Sequence, residues 1–170
     1  MSIEISASGI VFNRKGKASV APMISQKAKY ALRALIALAK EQPGATLFIS
    51  EIAEKQRIPK KFLEQILLDL KHHGIVTSRR GKAGGYLLLR SPAEITFGEV
   101  LRIIDGPIAP LPCLSKMAYR RCEDCLTEGA CEVRRVFARV AAATREVLDT
   151  TSIADAVHSA PAGIAKIIAS

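Results

Sequence analysis

Apolar residues recur at spacings of three and four from Ala28 through Ala31, Leu32, Leu35 and Leu38 to Ala39, which predicts a helix. Ser25 stands where an N-cap is needed, its hydroxyl able to accept from an orphan backbone N–H, and Pro43-Gly44 ends the run. Upstream, residues 1–22 carry no sustained period. They read as a flexible extension or a misassigned translation start, with Met23 opening the folded unit. Ile49 to Lys55 predicts a short helix with Ser50 as cap and Glu51 in its first turn, where the helix dipole favours a carboxylate. Gln56-Arg57-Ile58 makes a tight turn, and Pro59 opens a second helix at the position where its missing N–H costs nothing. That helix runs to about His73, buries Phe62, Leu63, Ile66, Leu67 and Leu70, and stops at Gly74. A short helix, a tight turn and a longer helix form a helix-turn-helix pattern.

Two strand-like runs follow, Ile75–Ser78 and Tyr86–Leu89, around Arg79-Arg80-Gly81-Lys82-Ala83-Gly84-Gly85. The glycines admit the positive φ of a turn, so the segment is a hairpin with a basic tip. Three helices and a hairpin make a winged helix. Thr96-Phe97-Gly98-Glu99 is a capping-box pattern for a helix to about Asp105, broken by Gly106-Pro107. From Glu132 to Asp149 a helical stripe of Val133, Val136, Phe137, Val140, Thr144, Val147 and Leu148 returns. A stripe that long outside a compact domain needs a partner surface, and a second copy of the same helix supplies one with two-fold symmetry. The expected fold is mainly α with a small β-wing: a winged helix-turn-helix domain plus a long C-terminal dimerisation helix. The expected division is 1–22 as extension, 23–92 as the winged helix and 93–131 as a linking helix and cysteine-rich loop. The dimerisation helix follows at 132–150 and a tail at 151–170.

Charge adds a function class. The chain has 170 residues, 49% of them apolar, so a buried core is available. No stretch reaches the roughly 20 consecutive apolar residues of a membrane span, and the first residues make a poor secretory signal. A soluble cytoplasmic protein with no membrane partner is expected. Lys and Arg number 25 against 16 acids, a net charge of +9. The excess is concentrated between Ile24 and Arg90, with 13 basic and 5 acidic residues. Such a domain favours a polyanion, because neutralising phosphates releases counterions. Lys60, Lys61 and Gln65 near the start of the second helix suit a major groove, where Lys donates to guanine and Gln pairs with adenine. Arg79, Arg80 and Lys82 in the wing suit phosphates or an adjacent minor groove.

Other chemistry is thin outside one stretch. Gly81-Lys82 is followed by Ala83 and a strand, so it is no phosphate loop. His72 and His73 sit at a helix C-terminus, where imidazolium meets the negative end of the dipole. No Ser/His/Asp or Cys/His arrangement stands at a recognisable spacing, so no enzyme is expected. All four cysteines, Cys113, Cys122, Cys125 and Cys131, fall within 19 residues. A cytoplasmic chain that can build its own core has no need of a disulfide framework, so the cluster points to metal or redox chemistry. A Cys₄ zinc and an iron–sulfur cluster both suit four thiolates, and the spacing, which matches neither the usual ferredoxin nor the zinc-ribbon pattern, does not choose between them. A disulfide switch needs only two thiols and leaves two unexplained.

Three segments carry a resemblance: Ile24 to Leu32 at the domain start, Ile58-Pro59-Lys60-Lys61-Phe62-Leu63 entering the second helix, and Ser78-Arg79-Arg80-Gly81-Lys82-Ala83-Gly84-Gly85-Tyr86 in the wing. They resemble the Rrf2 family of bacterial winged-helix regulators, whose members include sensors of iron–sulfur clusters, nitric oxide and iron. The resemblance runs from about Met23 to Asp155. It implies a homodimeric transcription regulator that binds double-stranded promoter DNA. Ser25 and Lys27, together with Ser78, Arg80, Gly84, Gly85 and Tyr86 of the wing, then join the DNA-binding set. Lys82-Ala83 stand where the family often has Pro-Gly. The resemblance also implies an iron–sulfur cluster, 4Fe-4S or 2Fe-2S, on Cys113, Cys125 and Cys131, with Cys122 as a fourth or alternative ligand. The expected function is a DNA-binding repressor responding to such a cluster. A zinc-stabilised DNA-binding regulator and a winged-helix protein-interaction scaffold are the alternatives.

Overall fold

The structure, a computed structural model, describes residues 10–12, 18–20, 23–81, 84–123, 125 and 127–158. Strands β1 (Ile10–Phe12) and β2 (Ala18–Val20) pair antiparallel, with Val11 opposite Ser19. The rest of 1–22, the expected extension, lies outside the described residues, as do 159–170.

Helix α1 (Gln26–Ala39) is the centre of the fold and buries Ala28, Ala31, Leu32, Ala34, Leu35, Ala37 and Leu38. This is more than one stripe, and its alanines let neighbouring elements approach closely on several sides. Ser25 caps it, accepting from the Ala28 N–H at 3.0 Å. Helix α2 (Ile49–Gln56) is capped two residues before the expected Ser50: Phe48 is the N-cap, and Ser50 lies inside the first turn and is exposed. The reason is tertiary. Leu47 and Tyr86 exchange N–H···O bonds of 2.9 and 2.8 Å, which fixes the chain extended up to Phe48. The Glu51 carboxylate then reaches back to the Phe48 N–H at 2.6 Å.

Arg57 closes α2 in the left-handed region, φ 51°. Helix α3 (Lys60–His72) follows, with Pro59 as its N-cap rather than its first helical residue. Leu63, Ile66, Leu67 and Leu70 are buried, as their spacing requires. Phe62 is not: it stays 39% exposed, on the flank of the stripe, and packs edge-on against Tyr30 with ring centroids 5.8 Å apart. Gly74, φ 68°, ends the helix.

Strands β3 (Val76–Arg79) and β4 (Gly85–Leu88) pair antiparallel from Val76 opposite Leu88 to Arg79 opposite Gly85. Gly85 has φ 132°, and a Cβ there would stand 2.5 Å from the Leu47 carbonyl oxygen. Both facts demand glycine. Gly85→Ala is expected to cost about 1–3 kcal/mol of stability from backbone strain, before any clash. Urea unfolding checks this, and a midpoint equal to that of the native chain would show that the wing tolerates a Cβ.

After a 3-10 turn at Pro92–Glu94, helix α4 (Phe97–Asp105) is capped by Thr96, whose hydroxyl accepts from the Glu99 N–H at 3.2 Å. The Glu99 carboxylate does not return the bond; it pairs with Arg90 at 2.7 Å. A second 3-10 turn, Pro112–Leu114, opens the cysteine loop, which ends at helix α5 (Glu132–Thr150). Only Ala141 of α5 is buried, while Val133, Val136, Phe137, Val140 and Val147 are exposed. The chain then turns back instead of running out as a tail. Helix α6 (Ile153–His158) packs on α1, with Ile153 fully buried and its N–H donating to the Ile95 carbonyl at 2.8 Å. The tail expectation fails over 151–158 because Ile153 fills a gap in a core distant in sequence.

Candidate nucleic-acid interface and cysteine loop

Lys60, Lys61 and Gln65 are exposed on α3, the two lysines in its first turn and Gln65 one turn on. Arg79 and Arg80 are exposed at the wing tip, where Gly81 takes φ 101°. Lys82 lies outside the described residues. Lys71, near the end of α3, donates to the Ser78 hydroxyl at 2.8 Å and so ties this helix to the wing. Tyr86 is half-buried against the core, and Gly84 is buried. A Cβ on Gly84 would lie 2.7 Å from the Arg79 and Gly81 carbonyl oxygens. Gly84, Gly85 and Tyr86 therefore shape and seat the hairpin, and the arginines carry its charge.

The N-terminal end of α1 is held from two sides. Ser25 donates through its backbone N–H to the Asp105 carboxylate at 2.8 Å and through its hydroxyl to the other carboxylate oxygen. Lys27 forms a 2.6 Å ion pair with Asp69 of α3. Gln65, one turn before Asp69, donates its side-chain N–H to the same carboxylate at 3.1 Å. The Lys27 ammonium holds the Asp69 carboxyl below its ordinary value, with Gln65 adding to the effect and partial burial opposing it. Arg33 of α1 donates to the backbone carbonyl and side-chain oxygen of Gln56, fixing the turn between α2 and α3. His73 places Nδ1 2.9 Å from the Asp69 carbonyl, a helix-end contact as expected. Asp69, Lys71 and Arg33 escaped the sequence reading. The i, i+4 spacing of Gln65 and Asp69 was the one available signal.

Cys113 is buried at 5% exposure in a turn packed against α5, and Cys122, Cys125 and Cys131 are half-buried. Cys131 is the N-cap of α5, its sulfur accepting from the Arg134 N–H at 3.3 Å. The Cys125 N–H donates to the Cys122 carbonyl at 3.4 Å, and Arg121 donates to the Cys125 carbonyl at 2.8 Å. Among the described residues no three of His, Cys, Asp and Glu are drawn together tightly enough to hold a metal ion. The donor set is nonetheless that of a thiolate-ligated group, with two thiols anchored at the ends of one loop and two between them. Among the described residues, Arg134, on the first turn of α5, has a buried Nε without a hydrogen-bond partner, while its Nη2 pairs with Glu128 at 3.5 Å. An anionic centre with sulfur acceptors fits that donor, since an unpaired buried N–H costs about 1–3 kcal/mol.

A helix-turn-helix, a basic wing tied to its second helix and a helical C-terminal extension define a winged helix-turn-helix transcription regulator rather than an enzyme. Comparison with known proteins makes this particular. The chain belongs to the Rrf2 family: the family described as an iron-dependent transcriptional regulator matches residues 24–159. An Rrf2-like helix-turn-helix regulator of Rhodobacter capsulatus is 51% identical over 137 residues, 78% of this chain and 91% of that protein. The structure of CymR, described as the global cysteine regulator of B. subtilis, superposes with a TM-score of 0.67 at 34% identity, covering 79% of this chain and 95% of CymR. IscR of T. potens superposes with a TM-score of 0.62 at 26% identity, covering 85% and 97%. Among the described residues no helix is long and apolar enough to cross a membrane.

Proposed function

We propose that this chain is a cytoplasmic homodimeric repressor that binds double-stranded promoter DNA and carries an iron–sulfur cluster on its cysteine loop. The observation that carries the DNA reading is the exposure of Lys60 and Lys61 on α3 and of Arg79 and Arg80 on the wing, which the Lys71–Ser78 bond ties to that helix. Each subunit puts Lys60, Lys61 and Gln65 to base edges in a major groove and Arg80 in or beside the minor groove, with Lys82 adding charge at the wing tip. Residues 23–92 form the DNA-binding unit and 132–150 the dimer seam, whose exposed valines support the pairing of two copies.

Cys113, Cys125 and Cys131 would hold the cluster, with Cys122 as fourth or alternative ligand. When bound, it supplies an iron centre reactive toward oxidants and nitric oxide. The thiols lie in the chain between α4, which packs on α1, and α5, which packs on α4 and on the Pro112–Leu114 turn, so a change in the shape of their loop bears on how the seam leaves the DNA-binding unit. The family's description as iron-dependent and the similarity to IscR support this reading. Zinc on the same thiols is the second reading, supported by the Cys-x2-Cys spacing of Cys122 and Cys125.

Arg80→Ala tests the DNA reading. Binding to promoter DNA is expected to weaken, and the slope of log affinity against log salt to fall by about one phosphate's worth, roughly 0.9. An unchanged slope and affinity in a salt-series binding assay would remove the wing from the interface.

A further inference from the structure

Helix α3 carries two acids, the exposed Glu64 and the half-buried Asp69, and Asp69 binds two residues of the expected DNA-binding set. Its carboxylate takes the Lys27 ammonium at 2.6 Å and the Gln65 amide N–H at 3.1 Å. If α3 enters the groove, a carboxylate on it repels DNA phosphates, which calls for a compensating role.

We propose that Asp69 is a specificity-setting residue, a positioning group that trades general phosphate affinity for base discrimination. It acts in two ways, and both rest on the reading that α3 enters the major groove. The first is orientation. A carboxylate only accepts, so it pulls the nitrogen end of the Gln65 amide toward itself and fixes which end is oxygen. One Gln65 N–H is then used, leaving the other N–H and the carbonyl oxygen. That remaining pair matches adenine, whose N7 accepts and whose N6 donates. The second is charge. Lys27 lies at the start of α1, where it would otherwise be available to any phosphate, irrespective of sequence. Paired with Asp69 it is neutralised, and it contributes little to counterion release.

The test is selection from a pool of DNA duplexes with a randomised core, followed by binding of the selected duplex and of a random duplex over a salt series. The full-length dimer is used, native and as Asp69→Asn and Lys27→Met. Asparagine keeps the size but offers either end of its amide to Gln65 and no charge to Lys27. Asp69→Asn is expected to bind random duplex more tightly, with a salt slope steeper by about 0.9 from the released lysine. Its preference for adenine at the base pair read by Gln65 is expected to fall by about an order of magnitude. Lys27→Met removes the same ion pair from the other side while leaving Gln65 bonded to Asp69. It is expected to weaken binding to both duplexes and to keep the native base profile, so loss of that profile would make the pair merely structural and overturn the proposal. Asp69→Asn with the native profile and salt slope would overturn it as well. A native protein with no preference for any selected duplex over random DNA is a different failure, that of groove reading itself.

Discussion

Val136→Arg is expected to turn a dimer into a monomer and to weaken binding to a two-half-site promoter by about 10²- to 10⁴-fold, the avidity lost when two linked sites become one. Helix α5 has 19 residues, a length of about 28 Å, and it leaves Val133, Val136, Phe137, Val140 and Val147 exposed. Val136 is 60% exposed, so replacing it leaves the core of the subunit untouched. In a two-fold seam each residue is buried twice, and a large apolar side chain gains about 1.5–3 kcal/mol on full burial. An arginine there forfeits that gain and places a charge with no partner in the seam, on both subunits at once. Sedimentation equilibrium and promoter binding, on protein whose circular dichroism matches the native chain, read both effects. A variant that sediments as a dimer and binds normally would move the seam elsewhere.

An equally large effect is expected from the cysteines: Cys113→Ala, Cys125→Ala and Cys131→Ser each lose the iron and acid-labile sulfide of protein purified without air. Cys122→Ala separates a fourth ligand from a spare thiol by whether iron is retained. Serine is the informative change at 131. Cys131 has a second function, capping α5 through its sulfur, and a serine hydroxyl caps at least as well. Cys131→Ser therefore keeps the helix start and removes the thiolate, so lost iron with the melting temperature of the cluster-free native chain assigns the residue to the metal. Full iron content in Cys131→Ser would take it out of the ligand set. A colourless native protein holding one zinc per subunit would replace the cluster by zinc and end the sensing reading.

Much of the fold was legible in local patterns. The helix-turn-helix, the wing, the long helix and the cysteine loop all stand where apolar spacing, glycines and prolines put them. Two of the errors were at places where a residue outside the helix competes with a local signal. Ser50 looks like a cap, yet the bridge of Leu47 to Tyr86 starts the helix at Ile49. Glu99 completes a capping-box pattern, yet Arg90 offers it a charge-assisted bond that a backbone N–H cannot match. The candidate interface shows the same division: Lys60, Lys61, Arg79 and Arg80 were visible as charge near a helix start and a turn, whereas the Lys27–Asp69 pair spans 42 residues.

The sequence by itself determined the order and type of the main elements from residue 23 to residue 150, the concentration of basic charge between Ile24 and Arg90 and the grouping of four thiols in one loop. These are properties of composition and short-range spacing, which a helix or a hairpin reports within one or two turns. Tertiary structure alone decided that Asp105 grips the start of α1 across 80 residues, that Ile153 closes the core as part of α6, and that Asp69 pairs with Lys27 across 42 residues. Each of these is a pairing between segments whose separation carries no periodic signal. Such pairings form because a buried or half-buried polar group, or a gap in a packed core, must be matched by whatever the folded chain brings beside it.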